Sequence, residues 1–84
     1  MMKNSKLFIG NLAPGVTEED LKEQFSYFGK IRFIKMIESK GIAFVKMFRE
    51  SDAYYARLGL NGIKLHDRPI RVLEARSEKR NPKP

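Results

Sequence analysis

The chain has 84 residues, a net charge of +7, 11% aromatic residues and no cysteine. That length holds one domain with one thin core, and the missing cysteine excludes disulfides, thiolate metal sites and cysteine nucleophiles. With His66 as the single histidine, a histidine metal cluster or a Ser-His triad has too few parts.

Residues 6–12 alternate in the sequence Lys-Leu-Phe-Ile-Gly-Asn-Leu and read as a first strand. Ala13-Pro14-Gly15 is a turn with both strong breakers. Thr17 then reads as a helix N-cap, with Glu18, Glu19 and Asp20 set against the positive end of the helix dipole. Leu21, Phe25 and Phe28 follow at helical spacing, and Gly29 stands where a left-handed cap would end the helix. Residues 31–38 and 41–47 form second and third strands, so closely connected that they must be an antiparallel hairpin. Ser51 is the N-cap expected for a second helix running to about Leu60, and Asn61-Gly62 stops it. Residues 63–65 are a short extended piece, His66-Asp67 a turn, and residues 69–75 the last strand. Residues 77–84 are polar, basic and proline-containing and read as a flexible tail, leaving a domain over 5–76.

This β-α-β-β-α-β order predicts an α+β, ferredoxin-like two-layer sandwich, with four antiparallel strands backed by two helices on one face. Strand alternation sorts the side chains. Leu7, Ile9, Ile34, Met36, Ala43, Val45, Ile70 and Val72 form the side rich enough to be covered. Phe8, Ile42 and Phe44 fall on the other side, with Lys35, Ile37, Lys46, Arg71 and Leu73. A bulge at the start of the second strand would add Phe33. Cations around a central aromatic pair suit a single-stranded nucleic acid, with stacking for bases and charge for the backbone. No apolar run approaches the roughly 20 residues of a membrane-spanning helix, and the N-terminus lacks the apolar core of a secretion signal. A soluble, intracellular protein is expected.

Residues 7–12 resemble the hexamer motif of the RNA recognition motif family. Residues 40–47, Lys-Gly-Ile-Ala-Phe-Val-Lys-Met, resemble its octamer. Ala53, Ala56, Leu60, Asn61 and Gly62 are similar to the family's second helix and its end, and residues 68–75 to its last strand. The resemblance covers about residues 5–76. It implies that Phe8 and Phe44 each stack on one base, that Lys40 meets a phosphate and that no cofactor takes part. Arg76 and the tail would extend the basic surface. Asn11 occupies a motif position without an assigned base contact. Ile42 replaces an aromatic that packs on riboses, which predicts a poorer third contact. Met47 replaces a terminal aromatic that faces the core. Stacking of about 1–3 kcal/mol per base gives about 2–6 for two platforms, hence micromolar or weaker binding that falls as salt rises. Relatives that clasp RNA hairpin loops use a longer second-to-third strand connection, so about two to four nucleotides of flexible strand are expected here. Single-stranded DNA stays open, since stacking ignores the sugar. The resemblance further implies a ribonucleoprotein role in RNA processing, nuclear or cytoplasmic, with the nucleus favoured.

The alternative is a protein-interaction or dimerisation module of the same fold, using the second-helix face. Tyr54 and Leu58 lie off that helix's buried stripe and are its candidate contacts. Protein-binding members of the family usually lose the sheet aromatics and carry an Arg-x-Phe motif after the second helix. Here both phenylalanines are present and residues 61–69 contain no Phe. An enzyme is excluded for want of a converging nucleophile, base or metal set. Lys3, Lys22, Lys30 and Lys64 read as ordinary solubilising charge.

Overall fold

The computed structural model describes residues 5–75. Its elements are β1 (Lys6–Gly10), α1 (Glu18–Phe25), β2 (Ile31–Ile37), a 3-10 turn (Glu38–Lys40), β3 (Ile42–Met47), α2 (Glu50–Leu60), β4 (Lys64–Leu65), β5 (Arg68–Pro69) and β6 (Arg71–Glu74). A four-stranded sheet runs β2-β3-β1-β6, and all three of its pairings are antiparallel. Strands β1 and β3 are central. The expected β-α-β-β-α-β sandwich is therefore the observed one, with a small β4-β5 hairpin added.

The core lies between the sheet and the helices. Leu7, Ile9, Ala43, Val45, Met47, Ile70 and Val72 meet Leu21 and Phe25 of α1 and Ala53, Ala56 and Leu60 of α2, all buried. Ile34 and Met36 pack partly buried against them. Met47 faces the core, as its strand parity requires, so its missing ring is a packing change.

The turns show where local chemistry decides. Thr17 caps α1 with both halves of a capping box, despite the short Asp20 side chain. Asp20 N–H donates to Thr17 Oγ1 at 3.2 Å, and Thr17 N–H donates to Asp20 Oδ2 at 3.0 Å. Gly41 takes the left-handed conformation at φ 64°, which closes the short β2-β3 hairpin. His66 and Asp67, at φ 53° and 66°, occupy a two-residue hairpin turn of the mirror-image type without a glycine. His66 Nε2 lies 3.0 Å from Asp20 Oδ2, so the β4-β5 tip is tied to the α1 cap.

Three boundary expectations are corrected. Gly29 is not a left-handed cap. The α1 helix ends at Phe25, with Ser26 as a right-handed C-cap, and Phe28 lies beyond it against the core. Gly29 serves a close approach instead, because a Cβ there would overlap the Asp52 carboxylate and stand 2.8 Å from the Asp52 Cβ. Ser51 is not an N-cap. The helix already begins at Glu50, after an extended Arg49 that makes no side-chain capping bond. The last strand is also shorter than expected, because Pro69 belongs to the β4-β5 hairpin and Ile70 links that hairpin to β6.

Gly29→Ala should cost about 1–3 kcal/mol by overpacking. In a chain of this size that lowers Tm by roughly 4–8 °C per kcal/mol, as read by thermal unfolding. Asp20 carries a second expectation. The backbone hydrogen bond from Thr17 holds its carboxyl below the ordinary 3.8, the His66 contact acts the same way, and partial removal from water opposes both. A depressed folded value stabilises the fold above 3.8, and that contribution is lost as pH falls through the folded value. Asp20→Asn should therefore lower Tm at neutral pH, with the gap from the parent chain narrowing in acid below 3.8.

Candidate nucleic-acid interface

The helices occupy one face of the sheet, and among the described residues no element covers the other. On that face the register aligns one row across all four strands. Lys35 of β2 pairs with Phe44 of β3, Phe44 with Phe8 of β1, and Phe8 with Leu73 of β6. Phe8 and Phe44 are half-buried and meet edge to face, with ring centroids 5.6 Å apart and planes at 62°. Such a contact adds about 0.5–1.5 kcal/mol beyond burial. It also holds the rings beside each other at the centre of the face. Gly10 has a spatial role here, since a Cβ would stand 3.0 Å from Phe8 Cε2 and push the ring away.

The neighbouring rows carry the expected residues. Towards the hairpin end, Ile37 pairs with Ile42, both partly buried, and Gly10 with an exposed Arg71. Towards the other end, Lys46 is opposite both Lys6 and Phe33. The register shifts between Ile31 and Phe33, and this bulge sets Phe33 on the uncovered face, 46% exposed. Leu73 is 42% exposed. Lys40 is exposed in the 3-10 turn. It lines an open cleft of about 760 Å³ together with Glu38, Arg68 and Arg71. Arg76 and the tail over 77–84 lie outside the described residues.

The structure thus gathers Phe8, Phe44, Ile42, Lys35, Lys46, Arg71 and Leu73 on one face, with Lys40 at its rim. Tyr54 and Leu58 lie elsewhere, on α2. Tyr54 is half-buried against the core, with the Arg57 guanidinium 5.8 Å from its ring, and Leu58 is exposed.

Two cations escaped the sequence reading. Lys6 sits on the uncovered face with its Nζ 5.1 Å from the Phe44 ring centre. Its parity with Phe8 was legible, because both are even positions of one alternating strand. Arg68 reaches the cleft through the β4-β5 hairpin, which no periodicity announced. Asn11 has a structural role. At φ 60° it ends β1, and its side-chain amide donates to the Pro69 carbonyl at 2.7 Å, fastening β1 to the small hairpin.

Paired aromatics, flanking cations and a rigid uncovered sheet can stack bases and attract a phosphate backbone. Comparison with known proteins agrees with this geometry. The family model described as RNA recognition motif matches residues 7–71. The Hrp65 protein of Chironomus tentans is 40% identical over 68 residues, covering 81% of this chain and 13% of that protein. The polyadenylate-binding protein RBP47C' of Arabidopsis thaliana is 38% identical over 69 residues, covering 82% and 16%. The chain therefore spans less than a fifth of the length of these curated relatives. Among solved structures, the C. elegans NONO-1 homodimer superposes with a TM-score of 0.80 at 37% identity, covering 84% of this chain and 28% of that one. A family match over most of the chain, with both of its motifs on the two central strands, establishes that this chain belongs to the RNA recognition motif family.

Proposed function

We propose that the domain binds single-stranded RNA, about two to four nucleotides at a time, on the uncovered sheet face. The observation that carries this reading is the row Lys35–Phe44–Phe8–Leu73, which spans every strand of the four-stranded sheet on the side opposite α1 and α2. Phe8 and Phe44 each stack on one base. The rings stand at 62° to each other, so two stacked bases are inclined to one another or one ring turns on binding. Ile42 offers apolar contact to the sugars between them. Lys35, Lys46 and Arg71 meet phosphates on the face, and Lys40 does so at its rim. The printed name of the polyadenylate-binding relative supports an RNA ligand. The role is binding within a ribonucleoprotein in RNA processing, with no chemistry of its own, and the nucleus is its favoured setting.

Phe44→Ala should weaken binding of a short oligonucleotide by about 5- to 150-fold, the equivalent of roughly 1–3 kcal/mol of stacking, as measured by fluorescence anisotropy. Lys46→Ala or Arg71→Ala should each flatten the dependence of log affinity on log salt by about 0.7. RNA and DNA of one sequence, compared side by side, report whether 2′-hydroxyl contacts contribute.

A second reading, self-association of two copies through the outer face of α2, rests on a different observation. Tyr55 and Leu58 lie one helical turn apart and are 58% and 54% exposed, with the half-buried Tyr54 at their flank. The homodimeric relative supports a second copy as the occupant. Leu58→Glu with Tyr54→Ala should then lower the sedimentation-derived mass at high concentration while RNA affinity holds. A parent chain that sediments as a monomer throughout sinks this reading.

A further inference from the structure

The bulge in β2 and the end of β3 build a second cluster of aromatic and cationic groups outside the row described above. Positions 42, 44 and 46 of β3 alternate onto the uncovered face, and Phe48 continues that parity. Pairing persists past the end of the strand, since Phe48 N–H donates to the Lys30 carbonyl at 3.0 Å. Phe48 is 53% exposed, so its ring is not explained as core packing. The Arg32 guanidinium lies 5.0 Å and the Lys30 ammonium 5.5 Å from its centre. Arg32 is the residue between the two shifted register positions, displaced from the β2-β3 ladder and exposed. Next to it come Phe33 and Lys46, paired across the strands.

We propose that Phe48, Arg32 and Lys30 form an additional seat for one base and its phosphate, continuing the bound single strand off the sheet at its β2 edge. This rests on the reading that single-stranded RNA lies on the uncovered face. Phe44 and Phe48 are four residues apart, about 13 Å at roughly 3.3 Å per residue, so a base stacked on Phe44 does not reach Phe48. The seat therefore belongs to a further nucleotide. Phe33 and Lys46 lie between the two positions and make the track continuous. The uncovered face then has a track from Arg71 on β6 through Phe8 and Phe44 to Phe33 on β2, with Phe48 just beyond the end of β3. A base on Phe48 would gain stacking on a ring whose flanking guanidinium also stacks, with two cations beside it for the backbone.

The test compares uridine and adenosine oligonucleotides of about four and about eight nucleotides on the parent chain, Phe48→Ala, Phe48→Leu, Arg32→Ala and Phe44→Ala. The parent chain is expected to bind the longer oligonucleotide more tightly. Phe48→Ala should weaken the longer one by about 5- to 150-fold and leave the shorter one unchanged, from roughly 1–3 kcal/mol of stacking. Phe48→Leu, which keeps apolar area without a π-face, should lose most of the same advantage. Arg32→Ala should lower the salt slope only for the longer oligonucleotide. A length advantage that survives Phe48→Ala while Phe44→Ala still weakens both lengths overturns the additional seat and leaves the sheet reading intact. Phe44→Ala binding both lengths like the parent overturns the sheet reading itself. Thermal unfolding of each variant separates a packing role of the cluster from a binding role, since a packing role moves Tm and not the length dependence.

Discussion

The antiparallel pairing of β1 with β3 is the constraint on which the rest of the molecule depends. It puts Leu7 opposite Val45 and Phe8 opposite Phe44, so one register assigns both strands their buried and uncovered faces. Hydrogen bonds beyond the strand ends extend the pairing, from Met47 N–H to the Ser5 carbonyl at 2.8 Å and from Leu12 N–H to the Gly41 carbonyl at 3.0 Å. A slip of β1 by one residue would send Phe8 into the core and Leu7 and Ile9 to the uncovered face, and a slip of β3 would do the same to Phe44 and Val45. The core and the uncovered aromatic face are thus two sides of one pairing, and stabilising one specifies the other.

Because α1 and α2 cover one face only, the charge of the chain is also sorted by face. The first turns of the helices carry Glu18, Glu19 and Asp20 and then Glu50 and Asp52, which favour the positive ends of the helix dipoles. The uncovered face carries Lys6, Lys35, Lys46 and Arg71. Cations are therefore gathered where the aromatics stand, while these acidic first turns lie on the helix side. Lys6 and Lys46 stand opposite each other in the register, so two cations flank the Phe8–Phe44 pair on the same side.

The edges of the sheet are managed separately from its centre. On β6 the outward Val72 N–H is taken by Asn61 Oδ1 at 2.9 Å, so the residue that stops α2 also closes a sheet edge. On β2 the bulge bends the edge and turns Phe33 outward. The β4-β5 hairpin is tied to other elements by Asn11 on the Pro69 carbonyl and by His66 on Asp20, and its own ladder continues through Ile70 N–H on the Ile63 carbonyl and Gly62 N–H on the Ile70 carbonyl. It thereby fixes Arg68 at the rim of the basic cleft.

By itself the sequence determined the element order, the buried and uncovered parity of each long strand, and the pair of rings at the centre of the face. Period and turn chemistry are local, and Phe8, Phe44, Val45 and Met47 each declare their side within a few residues. The tertiary structure decided what depends on contacts between distant segments. Gly29 looks like a cap along the chain, yet its purpose is the approach of Asp52. Asn11 looks like a motif residue, yet it bonds a carbonyl 58 positions away. Phe33 lies uncovered because β3 offers one partner, Lys46, after Met47 has already taken Ile31. Such pairings have no periodic signature, because the residues that satisfy them meet only once the sheet has closed.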